Sequence, residues 1–93
     1  PGAALIVDAS GRLVGIFTDG DLRRWFERDE PDIRRAAVDD FMGRRPKTLA
    51  PDQLVEDAHR LLRENRIDQA PVVDERGHPI GLVDVQDLLD IGL

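Results

Sequence analysis

Thr18 and Asp21 stand three apart in Gly15-Ile16-Phe17-Thr18-Asp19-Gly20-Asp21-Leu22-Arg23-Arg24, where an apolar stretch gives way to a polar turn. A hydroxyl and a carboxylate at that spacing can do one of two things. They can accept from the first free N–H groups of a helix and cap it, or they can meet the phosphate and hydroxyls of a ligand drawn to that helix N-terminus. Residue types alone leave both readings open. Sixty-six residues on, the pattern returns as Asp84 and Asp87, with a carboxylate where the threonine stood. Two like unit charges about 4 Å apart repel by roughly 1–4 kcal/mol, so a phosphorylated ligand is expected to prefer Thr18 and Asp21. Asp87 reads first as a cap.

Other residues carry weaker signals. Arg44, Arg45 and Lys47 surround Pro46 and could face a phosphate, although a basic turn beside proline is commonly a solvated connector; Thr48 follows them as a further candidate. His59 and His78 have no nearby His, Cys or paired carboxylate that would make a metal or catalytic set. No nucleophile stands with a base, and no phosphate loop or dinucleotide glycine pattern occurs. The sequence therefore predicts no catalytic residue, no metal ligand and no required cofactor in this chain.

The elements that would hold these residues recur with them. From Ala4-Leu5-Ile6-Val7-Asp8 to Ala70-Pro71-Val72-Val73-Asp74 the offset is 66 residues, and it carries Gly11, Gly15, Asp21 and Leu22 onto Gly77, Gly81, Asp87 and Leu88 without a gap. Each copy reads as strand, glycine turn, strand and short helix, which predicts pseudo-twofold packing. Leu22, Trp25 and Phe26 give the first helix an apolar stripe, and Val85, Leu88 and Leu89 the last. Between the copies lie a polar connector over 29–37, a helical turn at Val38, Phe41 and Met42 closed by Gly43-Arg44-Arg45-Pro46, and a brief strand at Lys47-Thr48-Leu49. Pro51-Asp52 then opens a helix with Leu54, Val55, Ala58, Leu61 and Leu62 on one face. Residues 38–69 have almost no counterpart before the first copy, so the chain reads as a piece of a longer protein whose apolar surface needs another cover.

Ninety-three residues suit one small globular unit. The formal charge of −6 argues against a general nucleic-acid or anionic-membrane binder, while a local basic site for one small anion is compatible with it. No apolar run approaches membrane length and there is no cysteine, which fits a cytoplasmic protein.

The pattern apolar-Pro-Val-Val-Asp, glycine in the turn, then Gly-apolar-x-Thr/Ser-x-x-Asp-Leu resembles a CBS domain, and two copies resemble a CBS pair. The fold class this implies is α+β: two β-α repeats whose small sheets, mostly of three strands against two helices, pack about a pseudo-twofold axis. Residues 1–28 would be the back half of the first repeat and 38–93 the complete second. Gly-Ile-Phe-Thr-Asp-Gly-Asp-Leu-Arg-Arg with Phe41-Met42 and Pro46-Lys47-Thr48 is further similar to the CBS region of arabinose-5-phosphate isomerases, enzymes of Kdo and lipopolysaccharide synthesis. Their catalytic sugar-isomerase (SIS) domain would precede residue 1. The resemblance implies a regulatory module in which Thr18 and Asp21 contact the phosphate and ribose of an adenine nucleotide or of a sugar nucleotide such as CMP-Kdo. A ligand-free structural module that joins two chains, or a CBS pair of another host, is the alternative. A homodimer is expected in either case.

Overall fold

A computed structural model describes residues 2–28 and 37–93, so the expected connector over 29–37 lies outside the described residues except for Ala37. In chain order the elements are β1 (Ala3–Val7), β2 (Leu13–Thr18), α1 (Asp19–Phe26), a 3-10 turn (Val38–Asp40), β3 (Gly43–Arg44), α2 (Val55–Asn65), β4 (Gln69–Val73), β5 (Pro79–Asp84) and α3 (Val85–Asp90). The 66-residue offset holds at the level of structure. It carries the bounds of β1 and β2 onto those of β4 and β5, and it carries a register shift at Ile6/Val7 onto one at Val72/Val73.

The turns repeat as well, because each is built by one aspartate and one glycine. Asp8 Oδ1 accepts from the N–H groups of Ser10 and Arg12, and Asp74 Oδ1 accepts from those of Arg76 and His78. Gly11 and Gly77 both take φ of +83°, which only glycine adopts without strain. The two tips meet: Leu13 N–H donates to the Gly77 carbonyl at 2.9 Å. The reciprocal bond cannot form, since the residue equivalent to Leu13 is Pro79, which has no N–H.

These turns make stability depend on acid. Backbone donors, Arg12 foremost for Asp8 and His78 foremost for Asp74, hold both carboxyls below their ordinary 3.8. Groups whose folded pKa is lowered stabilise fully above the unfolded value and lose that contribution as pH falls through the folded one. The urea midpoint is therefore expected to drop between pH 5 and pH 3, and to drop less in the Asp8→Asn, Asp74→Asn double variant. Equal drops would exclude these turns as the source.

Two antiparallel sheets result, β1-β2-β3 and β4-β5. Of the sheets expected to have mostly three strands, the second has two and the first takes its third from an unexpected source: Gly43-Arg44, read as a helix stop, pairs with Ile16 and Gly15 of β2. Lys47-Thr48-Leu49 shrinks from a strand to one parallel bridge between Leu49 and Val72. Nor does Pro51-Asp52 open α2. Gln53 folds back, its Oε1 accepting from Ala50 N–H, and α2 begins at Val55 with the Asp57 carboxylate accepting from Leu54 N–H.

The buried cluster joins Leu49, Ala58, Leu62, Ala70 and Leu88 under the second sheet. On the first sheet Met42 is buried against Gly15, while Trp25 stacks on Phe41 at 4.6 Å and meets Phe17 edge-on at 5.7 Å. Of the apolar stripes, Phe26 is 67% exposed and Leu89 55%, against the inner position expected for Leu89. In the single turn and a half of α3, Val85 and Leu88 take the inner face and leave Leu89 outside.

Candidate functional site

Thr18 ends β2 and caps α1, and the capping is reciprocal. Asp21 N–H donates to Thr18 Oγ1 at 3.3 Å, while Asp21 Oδ2 accepts from Thr18 N–H at 2.8 Å and from its hydroxyl at 3.1 Å. Asp21 Oδ1 pairs with Arg24, and its side chain is only 11% exposed. Asp21 is thus committed to holding Thr18 in place, whereas the threonine is not committed to Asp21 alone. Rotation of its O–H would turn a donor outward, because the backbone N–H bonds keep the cap closed.

Outward from Thr18 lies a cleft of about 590 Å³ lined by Gly2 and by residues of three further stretches, within 16–24, 45–47 and 66–69. Arg23, Arg24, Arg45, Lys47 and Arg66 face it, against the two carboxylates of Asp19 and Asp68. Five of the thirteen Lys and Arg residues of an acidic chain therefore gather at one opening. Among the described residues, Arg23, Arg45, Lys47 and Arg66 have no carboxylate partner. Unneutralised cations with low-dielectric walls between them attract a small anion.

Backbone conformation points to the same place. Arg45 and Arg66 have φ of +51° and +52°, and among the described residues they are the non-glycine residues with positive φ. A side chain costs about 1–2 kcal/mol in that region, and glycine is the usual residue just past a helix, where Arg66 follows α2. Strain of this kind concentrates at functional sites. Here both strained residues line the cleft.

The remaining candidates fall elsewhere. Asp84 caps α3, its Oδ1 accepting from Gln86 N–H at 2.8 Å and its Oδ2 from Gln69 Nε2 at 2.9 Å. The Gln86 amide and then the Gln69 amide lower its pKa, so it is a full anion at neutral pH. Asp87 accepts from Asp84 N–H at 3.1 Å as a cap. Thr48 is exposed on another face beside Asp52 and Asp74. His78 lies 3.8 Å from Asp74 in the hairpin, and no metal-binding group of three or more His, Asp or Glu occurs among the described residues.

The sequence singled out Arg45 and Lys47 as basic candidates but not Arg23, Arg24 or Arg66. Residue order says nothing of convergence, which needs distant stretches brought together.

Repeated hairpin–helix units with a basic cleft define a paired-repeat type of module. The chain belongs to the CBS domain family, whose profile matches residues 2–28 and 38–93. It is 37% identical over 92 residues to arabinose 5-phosphate isomerase KdsD of Pseudomonas aeruginosa, covering 99% of this chain but 28% of that enzyme. It is also 35% identical to inosine-5'-monophosphate dehydrogenase of Bifidobacterium longum over 90% of this chain and 15% of the relative. The chain thus spans about a quarter or less of these relatives. Among solved structures, the CBS domain pair of protein MJ0100 with 5'-methylthioadenosine and S-adenosyl-L-methionine superposes with a TM-score of 0.85 at 26% identity, covering 96% of this chain and 68% of that one. CBSX2 in complex with AMP gives 0.75 at 30% identity, covering 98% and 73%. Among the described residues no helix is long and apolar enough to cross a membrane.

Proposed function

We propose that this CBS pair is the regulatory module of an arabinose-5-phosphate isomerase of Kdo and lipopolysaccharide synthesis, and that it binds an adenine nucleotide or a sugar nucleotide such as CMP-Kdo in the Thr18 cleft. The observation that carries this reading is that four cations without a carboxylate partner among the described residues line the same cleft as Thr18. The phosphate would sit among Arg45, Lys47 and Arg66 and take the Thr18 O–H, while Asp21 keeps the threonine in position. Relatives that carry a CBS pair within a larger enzyme support the attachment to a catalytic SIS domain in the same cytoplasmic protein. Differential affinity for two states of that domain would then bias catalysis, and this chain itself would perform none.

Phe26 at 67% and Ile91 at 64% exposure support a second role, association of two chains through these helices. A homodimer is compatible with ligand binding, since neither residue lines the cleft.

A thermal-shift series with AMP, ADP, ATP, CMP, CMP-Kdo and arabinose 5-phosphate tests the ligand reading. At 100 times its dissociation constant a ligand adds about 2.7 kcal/mol, which for a domain of this size raises the melting temperature by about 10–20 °C. A flat response to all six would leave the association role alone standing.

A further inference from the structure

Arg66 ends α2 in a turn that glycine commonly builds. Its N–H donates to the Arg63 carbonyl at 3.3 Å, and the N–H of Ile67 reaches back to the Leu62 carbonyl at 3.1 Å, while Ile67 packs against the cluster that contains Leu62. The residue between those two bonds must be left-handed, and glycine takes that conformation without the clash a Cβ brings. Arg45 is a still less expected place for φ of +51°, because it precedes Pro46 and the residue before a proline is disposed to be extended. Glycine would suit the backbone better at both positions, yet both hold arginine. Neither arginine has a carboxylate partner among the described residues, and both line the Thr18 cleft.

We infer that Arg45 and Arg66 are specificity-determining residues, and that through them the cleft selects ligands with two or more linked phosphate groups over ligands with one. This deepens the proposed function and rests on the Thr18 cleft being the binding site. With Arg23, Arg24 and Lys47 the two arginines make five cations on a lining that holds two carboxylates, Asp19 and Asp68. Arg24 is already engaged by Asp21, which leaves four cations without a carboxylate partner among the described residues. A single phosphate monoester carries a charge of about −2 and cannot balance four cations. Those four also stand on separate stretches: Arg23 on α1, Arg45 and Lys47 after β3, Arg66 after α2. A chain of phosphates can spread over such a set, and a cleft of about 590 Å³ has room for it. Left-handed arginine is then a cost in stability that is offset only when the ligand is bound.

The test is calorimetric titration at one low ionic strength with four probes, orthophosphate, pyrophosphate, AMP and ADP, on the wild-type chain and on Arg66→Gly, Arg45→Gly and Arg66→Lys. Pyrophosphate should bind at least about fivefold tighter than orthophosphate, the worth of one further charge contact at water-like dielectric, and ADP should exceed AMP by a similar factor. Without ligand, each glycine variant should melt about 2–8 °C above wild type, and each should lose most of the preference for the second phosphate. Arg66→Lys keeps both the charge and the backbone conformation, so it should follow wild type in melting and in preference. Pyrophosphate no tighter than orthophosphate overturns the inference. So do glycine variants that melt higher with the preference intact, where arginine would be tolerated without a role, and glycine variants that melt no higher than wild type. AMP and ADP bound equally well would overturn the selectivity and leave the nucleotide reading standing. A pyrophosphate preference with no binding of either nucleotide would support the selectivity and remove the nucleotide reading, and silence toward all four probes would overturn both.

Discussion

Thr18→Asp is expected to weaken nucleotide binding by about fivefold to several-hundredfold while leaving the free protein as stable as before. The binding loss follows from placing a second negative charge about 4 Å from a phosphate, at roughly 1–4 kcal/mol. Preserved stability follows from the repeat: Asp84 occupies the equivalent position and caps α3 with its carboxylate, and aspartate caps helices as well as threonine does. Thr18→Ala would be the poorer experiment, because it removes the cap as well as the hydroxyl and costs about 1 kcal/mol of stability. Calorimetric titration of the wild-type and Thr18→Asp chains with whichever nucleotide raises the melting temperature measures the effect. Unchanged affinity in Thr18→Asp would move the site away from Thr18, and with it the role given to Asp21.

Leu62→Ala should cost about 2–5 kcal/mol, a large part of the total for a domain of this size. Leu62 is 2% exposed and lies in the cluster that ties Leu49, Ala70 and Leu88 to α2, so its truncation leaves a cavity that four neighbours line. A melting temperature lower by about 10–30 °C is the expected readout. Leu93→Ala, at a residue 43% exposed at the end of the chain, should stay within about 0.5 kcal/mol of wild type. Similar losses in both variants would mean that the second sheet's cluster is not the main source of stability. The first sheet would then have to supply it through Phe17, Trp25 and Phe41.

Some of this was legible before any coordinate. The places of the four hairpin strands and both glycine turns follow from local rules: alternation, positive φ, and side chains that reach N–H groups two to four residues away. Such interactions are short in sequence and recur at the 66-residue offset, so each copy corroborated the other. The misreadings share a cause. Gly43-Arg44 has no strand propensity of its own and is extended only because β2 offers it an edge. Leu89 follows the apolar pattern of α3 yet stays outside, because a six-residue helix buries one turn and no more.

What the sequence by itself determined is the family and the repeat, since both are written in residue order and spacing, while it left Thr18 and Asp21 open between cap and ligand contact. The tertiary structure alone decided that Arg23, Arg45, Lys47 and Arg66 face one opening with Thr18, while Thr48, Asp84 and Asp87 do not line it. Those four cations are up to 43 residues apart along the chain, and no periodicity links them. Their charges add only where folding brings them to one opening, and that is a property of distant stretches meeting in space.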